Sequence, residues 1–341
     1  MNHRYPVDSR TVRDTWKHTR TKEEKDVSDV KRHSKFLGVG AAAASLMLFA
    51  GACGGGGEGV STGPEEGEGE GKEITIGLIP WEEGIAVTNM WKVILEEKGY
   101  DVTIENVDVA PIFEGTANGD IDLFFDLWLP ATHEEYWDKY GDQVEDLGAW
   151  NENASLQITV PSYVDEVDSL EDLKDNADLF DGEIIGIESG AGLTKTTKES
   201  MIPDYGLEDD FELVESSTPA MLEALETAIK DEEPIVVTLW RPHLAYAKWD
   251  LKDLEDPEGS MGEAESIHSM GREGFSEDFP ELAGWLENFT VGDEQIADME
   301  QVILEEHEGE EEEGARAWLA DNPDYLEEVL GEDAEGLDFS S

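Results

Sequence analysis

The sequence predicts an α/β protein of two lobes, each built on a largely parallel sheet flanked by helices. Three observations lead there. Strand and helix patterns alternate from Glu73 onward in two separate runs. The strands are continuously apolar, as strands covered on both faces are. A length of 341 residues, 39% of them hydrophobic, allows roughly two domains of ~150 residues with a substantial core.

In the first run Ile74–Ile79 is a short apolar strand stopped by Pro80. Val87, Met90, Trp91, Ile94 and Leu95 then recur at helical spacing, and Gly99 supplies a C-terminal cap. Val102, Ile104 and Val107 alternate as a second strand. A short helix around Ile112–Ala117 ends at Asn118-Gly119, and Ile121–Phe125 is a third, buried strand. In the second run Glu183–Ile187 is a strand, Gly190-Ala191-Gly192 leads into a helix, and Phe211–Val214 is another strand. Thr218-Pro219 starts a helix with Pro in its first turn, and Met221, Leu222, Leu225, Ala228 and Ile229 face its core. Pro234–Leu239 is a further buried strand. The remainder reads as helices at Glu281–Asn288, Asp293–Glu306 and Ala315–Leu330. Lobe I takes in about 73–160 plus 255–341 and lobe II about 161–254, with hinges near Leu156–Pro161 and Pro242–Leu254.

The first 52 residues differ in composition, with ten Lys/Arg against six Asp/Glu. Lys31, Arg32 and Lys35 precede an uncharged run of 17 residues, Phe36–Ala52, which is short of the ~20 strongly apolar residues of a spanning helix. It fits the apolar region of a signal peptide ending in small residues. Cys53, the sole cysteine, follows at once. Basic cluster, apolar run, Ala50-Gly51-Ala52-Cys53 and acidic tether together resemble a bacterial lipoprotein signal. That resemblance implies cleavage before Cys53, lipidation of Cys53, and a mature domain outside the cytoplasmic membrane. Residues 54–72 are Gly/Glu-rich and read as a self-repelling, disordered tether.

Charge excludes several functions. The chain has 83 Asp/Glu and 23 Lys/Arg, a net −60, and the 289 residues from Cys53 onward carry −64. Nucleic acid needs a basic surface and is not a partner. One cysteine rules out a disulfide framework and a thiolate metal site. No Asp-x-Asp-x-Asp-Gly calcium loop occurs, and no cofactor is implied. Glu305–Glu313, with His307 inside it, reads as a solvated helix face and loop. The acid residues are dispersed, as on a surface adapted to high salt.

Ligands in open α/β sheets sit beyond the carboxyl ends of strands. Three strand ends carry a tryptophan there: Trp81, Trp128 and Trp240. Indole faces suit a quaternary ammonium, which has no N–H to donate and is held by ring quadrupoles, at ~0.5–2 kcal/mol per contact. Glu82 and Glu83 are expected to point outward, leaving no carboxylate at these ends. Gly192-Leu193 at a helix start offers bare N–H groups to a carboxylate. His133, five residues after Trp128, is a further donor with an ordinary pKa near ~6.5, inside the working pH range. Cage plus cradle suits a zwitterion.

These residues resemble the substrate-binding component of glycine betaine ABC importers, a periplasmic-binding-protein-like fold of type II. The stretches IPWEEGIAVTNMWKVILEEKGYDV, ANGDIDLFFDLWLPATHEEYWDKYG, IGIESGAGLTKTT, ESSTPAMLEALETAIKDEEPIVVTLWRPH and DLKDLEDPEGSMGEAESIHSMGREGF carry the likeness across Glu73–Leu330. The resemblance implies an aromatic box of Trp81, Trp128 and Trp240. It implies carboxylate contacts from Gly192, Leu193 and His133, completed when the lobes close. It implies as partners a small zwitterion, an ABC permease with its ATPase, and the membrane through a lipid anchor alone. Leu239-Trp240-Arg241 departs from the family, which often has Gly before the Trp and a small residue after it; Arg241 could bring a charge near the site.

Choline, carnitine, proline betaine and ectoine are alternative ligands for the same fold, with choline disfavoured by the carboxylate cradle. A hydrolase would need a nucleophile with a base, or a metal, and neither HExxH nor GxSxG occurs. A receptor sensor would need a further membrane segment after Cys53. The acid surface also makes a thermal prediction. Midpoints should climb between about 0.1 and about 3 M NaCl as the self-repulsion is screened. A flat profile would sink the salt-adapted reading.

Overall fold

A computed structural model describes residues 71–339. One nine-stranded mixed sheet runs through it in the order β2-β1-β3-β9-β4-β7-β5-β6, with β8 also on β4. The strands are β1 Glu73–Leu78, β2 Asp101–Asn106, β3 Leu123–Leu129, β4 Val144–Pro161, β5 Glu183–Ile185, β6 Glu212–Val214, β7 Val237–Arg241, β8 Leu251–Asp253 and β9 Glu265–Arg272. Each half of the sheet holds a parallel trio, β2-β1-β3 in one and β6-β5-β7 in the other. Each trio is closed off by an antiparallel strand, β9 and β4 respectively.

β4 belongs to both halves. Its first part pairs with β9 as far as Ala154, and from Ser155 it pairs with β7. The chain returns between β8 and β9. The carboxyl ends of β1, β3 and β7 therefore meet where the halves adjoin, and that is where the site forms.

The helix Glu82–Glu97 shows how local sequence serves this placement. Its Val87, Met90, Trp91, Ile94 and Leu95 are all buried, and Glu82 in its first turn complements the helix dipole. Gly99, at φ +93°, occupies the left-handed position just past its end, where a side chain would be strained. The helix packs between the sheet and two C-terminal helices, Asp293–Glu300 and Glu311–Asp321. The single helix expected over Ala315–Leu330 is two, Glu311–Asp321 and Pro323–Leu330. Pro323 has no N–H to continue the ladder, so the chain breaks at Asn322 and restarts with Pro at the first helical position.

Trp91, Trp150, Trp285 and Trp318 are core residues, at most 3% exposed. Glu305–Glu313 is mostly exposed, as expected. Among the described residues no helix is long and apolar enough to cross a membrane. Cys53, the apolar run before it and most of the tether lie outside the described residues.

Candidate functional site

The three strand-end tryptophans come together. Trp81 immediately precedes the Glu82–Glu97 helix, Trp128 is the next-to-last residue of β3, and Trp240 is the next-to-last of β7. All three line one narrow cleft, together with Gly192 and Leu193. Each indole is 5% exposed or less. The Trp81 and Trp240 rings lie 6.3 Å apart, tilted by 60°. Leu156 and Ile187 add apolar wall, and Thr132 and Ala191 fill the remainder with one acid, Glu83.

Gly192 begins a helical run that continues through a π turn to Asp204. The first N–H groups of a helix have no partner within it, so the Gly192 and Leu193 amides are available beside the cleft. Gly192 is required by closeness rather than by a turn. A Cβ there would lie 2.2 Å from the Thr132 carbonyl oxygen, on the other half of the sheet. Thr194, two residues on, carries a buried hydroxyl without a hydrogen-bond partner.

His133 is close to the box but does not line the cleft. Its ring stacks on Trp81, with centroids 6.0 Å apart and planes 12° apart. Its Nδ1 accepts from the Trp128 backbone N–H at 3.0 Å. That fixes the tautomer: the proton sits on Nε2, which is buried and has no partner in the protein. The expectation that His133 titrates in the working range is overturned, because burial alone pushes its pKa down to about 3. It is a neutral N–H donor.

The expectation that Glu82 and Glu83 point outward is also overturned. Glu83 is wholly buried, lines the cleft, and accepts from Trp240 Nε1 at 2.9 Å. Glu82 turns toward His243, with Oε2 and Nε2 3.2 Å apart. Two further acids stand at the box. Asp126 accepts from Trp128 Nε1 at 2.7 Å, and Glu188 from Trp81 Nε1 at 3.5 Å. Burial, then Asp126 and Glu300, hold the Glu83 carboxyl well above the usual range. Burial raises Asp126 to about 7, against the lowering effect of the Trp128 bond. Arg241 takes no place in the cleft: it pairs with Asp253 at 2.8 Å and covers the Tyr246 ring.

Sequence reasoning missed Glu83, Asp126 and Glu188. A signal existed for one of them, since an Asp inside the buried run LFFDLWL is costly without a partner. Away from the cleft, His307, Glu310 and Glu313 bring possible metal-ligand atoms within 4.8 Å of one another, on largely exposed side chains.

A mixed α/β sheet with an indole-lined cleft between its halves defines a protein that encloses a small molecule. Residues 72–321 match the family described as the substrate binding domain of ABC-type glycine betaine transport systems, and the chain belongs to that family. It is a family of transport binding proteins rather than of enzymes.

The chain is 44% identical over 155 residues to the glycine betaine/carnitine transport binding protein GbuC of Listeria monocytogenes. That match takes in 45% of this chain and half the length of GbuC. Among solved structures it resembles the glycine/betaine/L-proline-binding protein ProX of Borrelia burgdorferi, with a TM-score of 0.72 and 33% identity over 77% of this chain and 98% of that one. It also resembles lactococcal OpuAC in its closed conformation complexed with glycine betaine, with a TM-score of 0.69 and 35% identity over 76% and 99%.

Two pH experiments follow from the site. The His133 ring nitrogens should hold constant NMR shifts from about pH 5 to about pH 8, in the Nε2–H tautomer. A titration midpoint near 6.5 would contradict the buried, neutral assignment. Asp126 has the opposite consequence for stability. A carboxyl whose pKa is raised on folding contributes stability that is complete below its unfolded value of 3.8 and is lost as pH rises through about 7. The melting midpoint of the wild type minus that of Asp126→Asn should therefore fall across that interval. His133 acts in the opposite sense below ~6.5 but cancels in the difference. A difference independent of pH would show that Asp126 ionises freely.

Proposed function

We propose that this protein captures glycine betaine, or a closely related quaternary ammonium zwitterion, outside the cytoplasmic membrane and delivers it to an ABC permease for osmoprotectant uptake. In this reading residues 1–52 are removed, Cys53 carries the lipid anchor, and 53–72 is a tether. The two lobes, about 73–160 with 255–341 and about 161–254, close on the ligand. The observation that carries the reading is the meeting of Trp81, Trp128 and Trp240 with the Gly192-Leu193 helix start at one cleft.

The chemistry follows from that arrangement. Trimethylammonium has no N–H, so indole faces rather than hydrogen-bond acceptors hold it. The carboxylate of the same molecule meets the free amides of Gly192 and Leu193, which carry the positive end of a helix dipole. His133, stacked on Trp81 just outside the cleft lining, keeps an unpartnered Nε2–H as the further donor for that carboxylate. No bond is made or broken, and the group needed is a donor of fixed protonation, which a neutral imidazole supplies.

Intrinsic tryptophan fluorescence at high salt tests the reading directly, with titrations of glycine betaine, choline and proline. Glycine betaine should bind most tightly, and absence of binding would end the proposal. Trp81→Ala, Trp128→Ala and Trp240→Ala should each weaken it by about 1–2 kcal/mol or more, whereas Trp285→Phe should have almost no effect. Equal losses in all four would remove the cage.

His133→Ala should cost glycine betaine roughly 1.5–3 kcal/mol, the range for a hydrogen bond to a charged group. It should barely change any residual choline binding, because choline has no carboxylate. Equal losses for both ligands would mean that His133 is structural.

A further inference from the structure

All three indoles of the cleft commit their single N–H to a carboxylate. Trp128 donates to Asp126 at 2.7 Å, Trp240 to Glu83 at 2.9 Å and Trp81 to Glu188 at 3.5 Å. Two of these bonds cross between the halves of the sheet in opposite senses. Trp81, after β1, donates to Glu188, after β5; Trp240, in β7, donates to Glu83, at the start of the Glu82–Glu97 helix. With its N–H spent, no indole offers a donor to a molecule held between the rings.

We propose that Glu83, Asp126 and Glu188 are specificity-determining residues, which make the indole cleft select a permanent cation over an uncharged group of the same shape. The proposal rests on the reading that a quaternary ammonium occupies the cleft, and adds what gives the cleft its sign.

The first reason is electronic. Attraction between a cation and a ring is electrostatic and grows with the negative potential of the ring face. A carboxylate accepting the indole N–H draws positive charge to the ring edge and deepens that potential. A carbonyl or a water at the same place would do less.

The second reason is charge balance. Glu83 and Asp126 are each 1% exposed or less, and each keeps one oxygen without a partner, Oε1 and Oδ2. Glu300, equally buried, has both oxygens unpartnered. Among the described residues no Lys or Arg is ion-paired to any of the three. The nearby titratable groups are Glu82 on the same helix, His243 beyond β7 and Glu188 beyond β5, and the His243 imidazole is turned to Glu82. Buried carboxyls without a counter-charge hold their protons. A trimethylammonium group in the cleft is the counter-charge this cluster lacks, whereas a neutral isostere leaves the cluster as it was. Glu188 is placed differently. It also accepts from the backbone N–H and hydroxyl of Thr218 at the start of the Thr218–Asp231 helix.

The test compares glycine betaine with tert-butylacetate, in which carbon replaces the quaternary nitrogen and the carboxylate is kept. Calorimetric titration at high salt is made on the wild type and on Glu83→Gln, Asp126→Asn and Glu188→Gln. Each variant retains an oxygen to accept the indole N–H and cannot ionise when a cation enters the cleft; Glu188→Gln also exchanges one of the two oxygens that accept from Thr218 for an amide nitrogen. The wild type should prefer betaine, and the preference should fall by about threefold to tenfold in each variant, a range set by the size of single cation–π contacts. Affinity for tert-butylacetate should change by less than about twofold or improve, since no cation is involved. Should a buried variant fail to fold, the partly exposed Glu188→Gln carries the comparison. Equal changes for both ligands would overturn the proposal and leave the betaine reading standing. A wild type that binds betaine no better than tert-butylacetate would overturn both.

Discussion

Three indole N–H groups have to be satisfied at a place that water scarcely reaches, and much of the site follows from how this is done. An indole is mostly apolar surface with one donor, and a buried donor without an acceptor costs on the order of 1–3 kcal/mol. Here the acceptors are acids rather than carbonyls. Asp126 interrupts a buried strand, Glu83 sits in the first turn of a buried helix, and Glu188 follows the strand that leads to the Gly192 helix start. Asp126 and Glu83 are in awkward places for an acid residue by the ordinary rules of burial. Each is explained once the indole beside it is counted.

The same chain handles acid residues in a second way at its surface. With 83 Asp and Glu against 23 Lys and Arg, most carboxylates have no basic residue to meet. The few cations are set where elements distant in sequence join. Lys92 reaches Glu312, Arg316 reaches Glu97, and Arg272 holds both Asp122 and Asp278. Exposed pairs are worth at most about 1 kcal/mol each, so they orient neighbouring elements more than they stabilise them. The apolar core supplies the stability, and solvent ions screen the surplus charge. Interior acids have no such screening, so Glu83, Asp126 and Glu300 keep high proton affinities.

Most of the fold was legible because burial and periodicity agree in it. Ile74, Ile76 and the run Leu123–Leu127 announce strands covered on both faces, and the 3.6-residue spacing from Val87 to Leu95 announces the helix between them. The meeting of the tryptophans was legible for a topological reason: the carboxyl ends of these buried strands converge, so large aromatics set there line one cleft. The acids were not. Glu82 and Glu83 look like dipole-complementing residues of a helix start, and Glu82 and Glu83 differ only in which side of that turn faces the sheet junction. Sequence cannot show that Trp240, 157 residues away, arrives with its N–H aimed at one of them. The protonation of His133 was hidden for a similar reason. Its spacing from Trp128 placed it by the box, but complete burial, which decides its charge, is a property of the packed structure.

The cleft is held together by contacts that exist only when the halves of the sheet are apposed. Gly192 lies so close to Thr132 that no side chain fits between, Tyr136 donates to the Gly190 carbonyl at 3.1 Å, and Lys195 meets Glu135 at 2.5 Å. The Trp81–Glu188 and Trp240–Glu83 bonds belong to the same set. Separation of the halves would therefore undo the box, its acid support and the approach of the Gly192 amides in one step. A ligand can shift such an equilibrium only by its differential affinity for the two states. The apposed state is the one with all the groups in place: indoles on both sides, carboxylates behind them, free amides beside them. A molecule that engages one set alone gains little from closure. In the proposed function, one carrying a bare cation and a carboxylate a single methylene apart engages both sets at once. On that proposal recognition and closure become one equilibrium, and the buried carboxylates set which charge tips it.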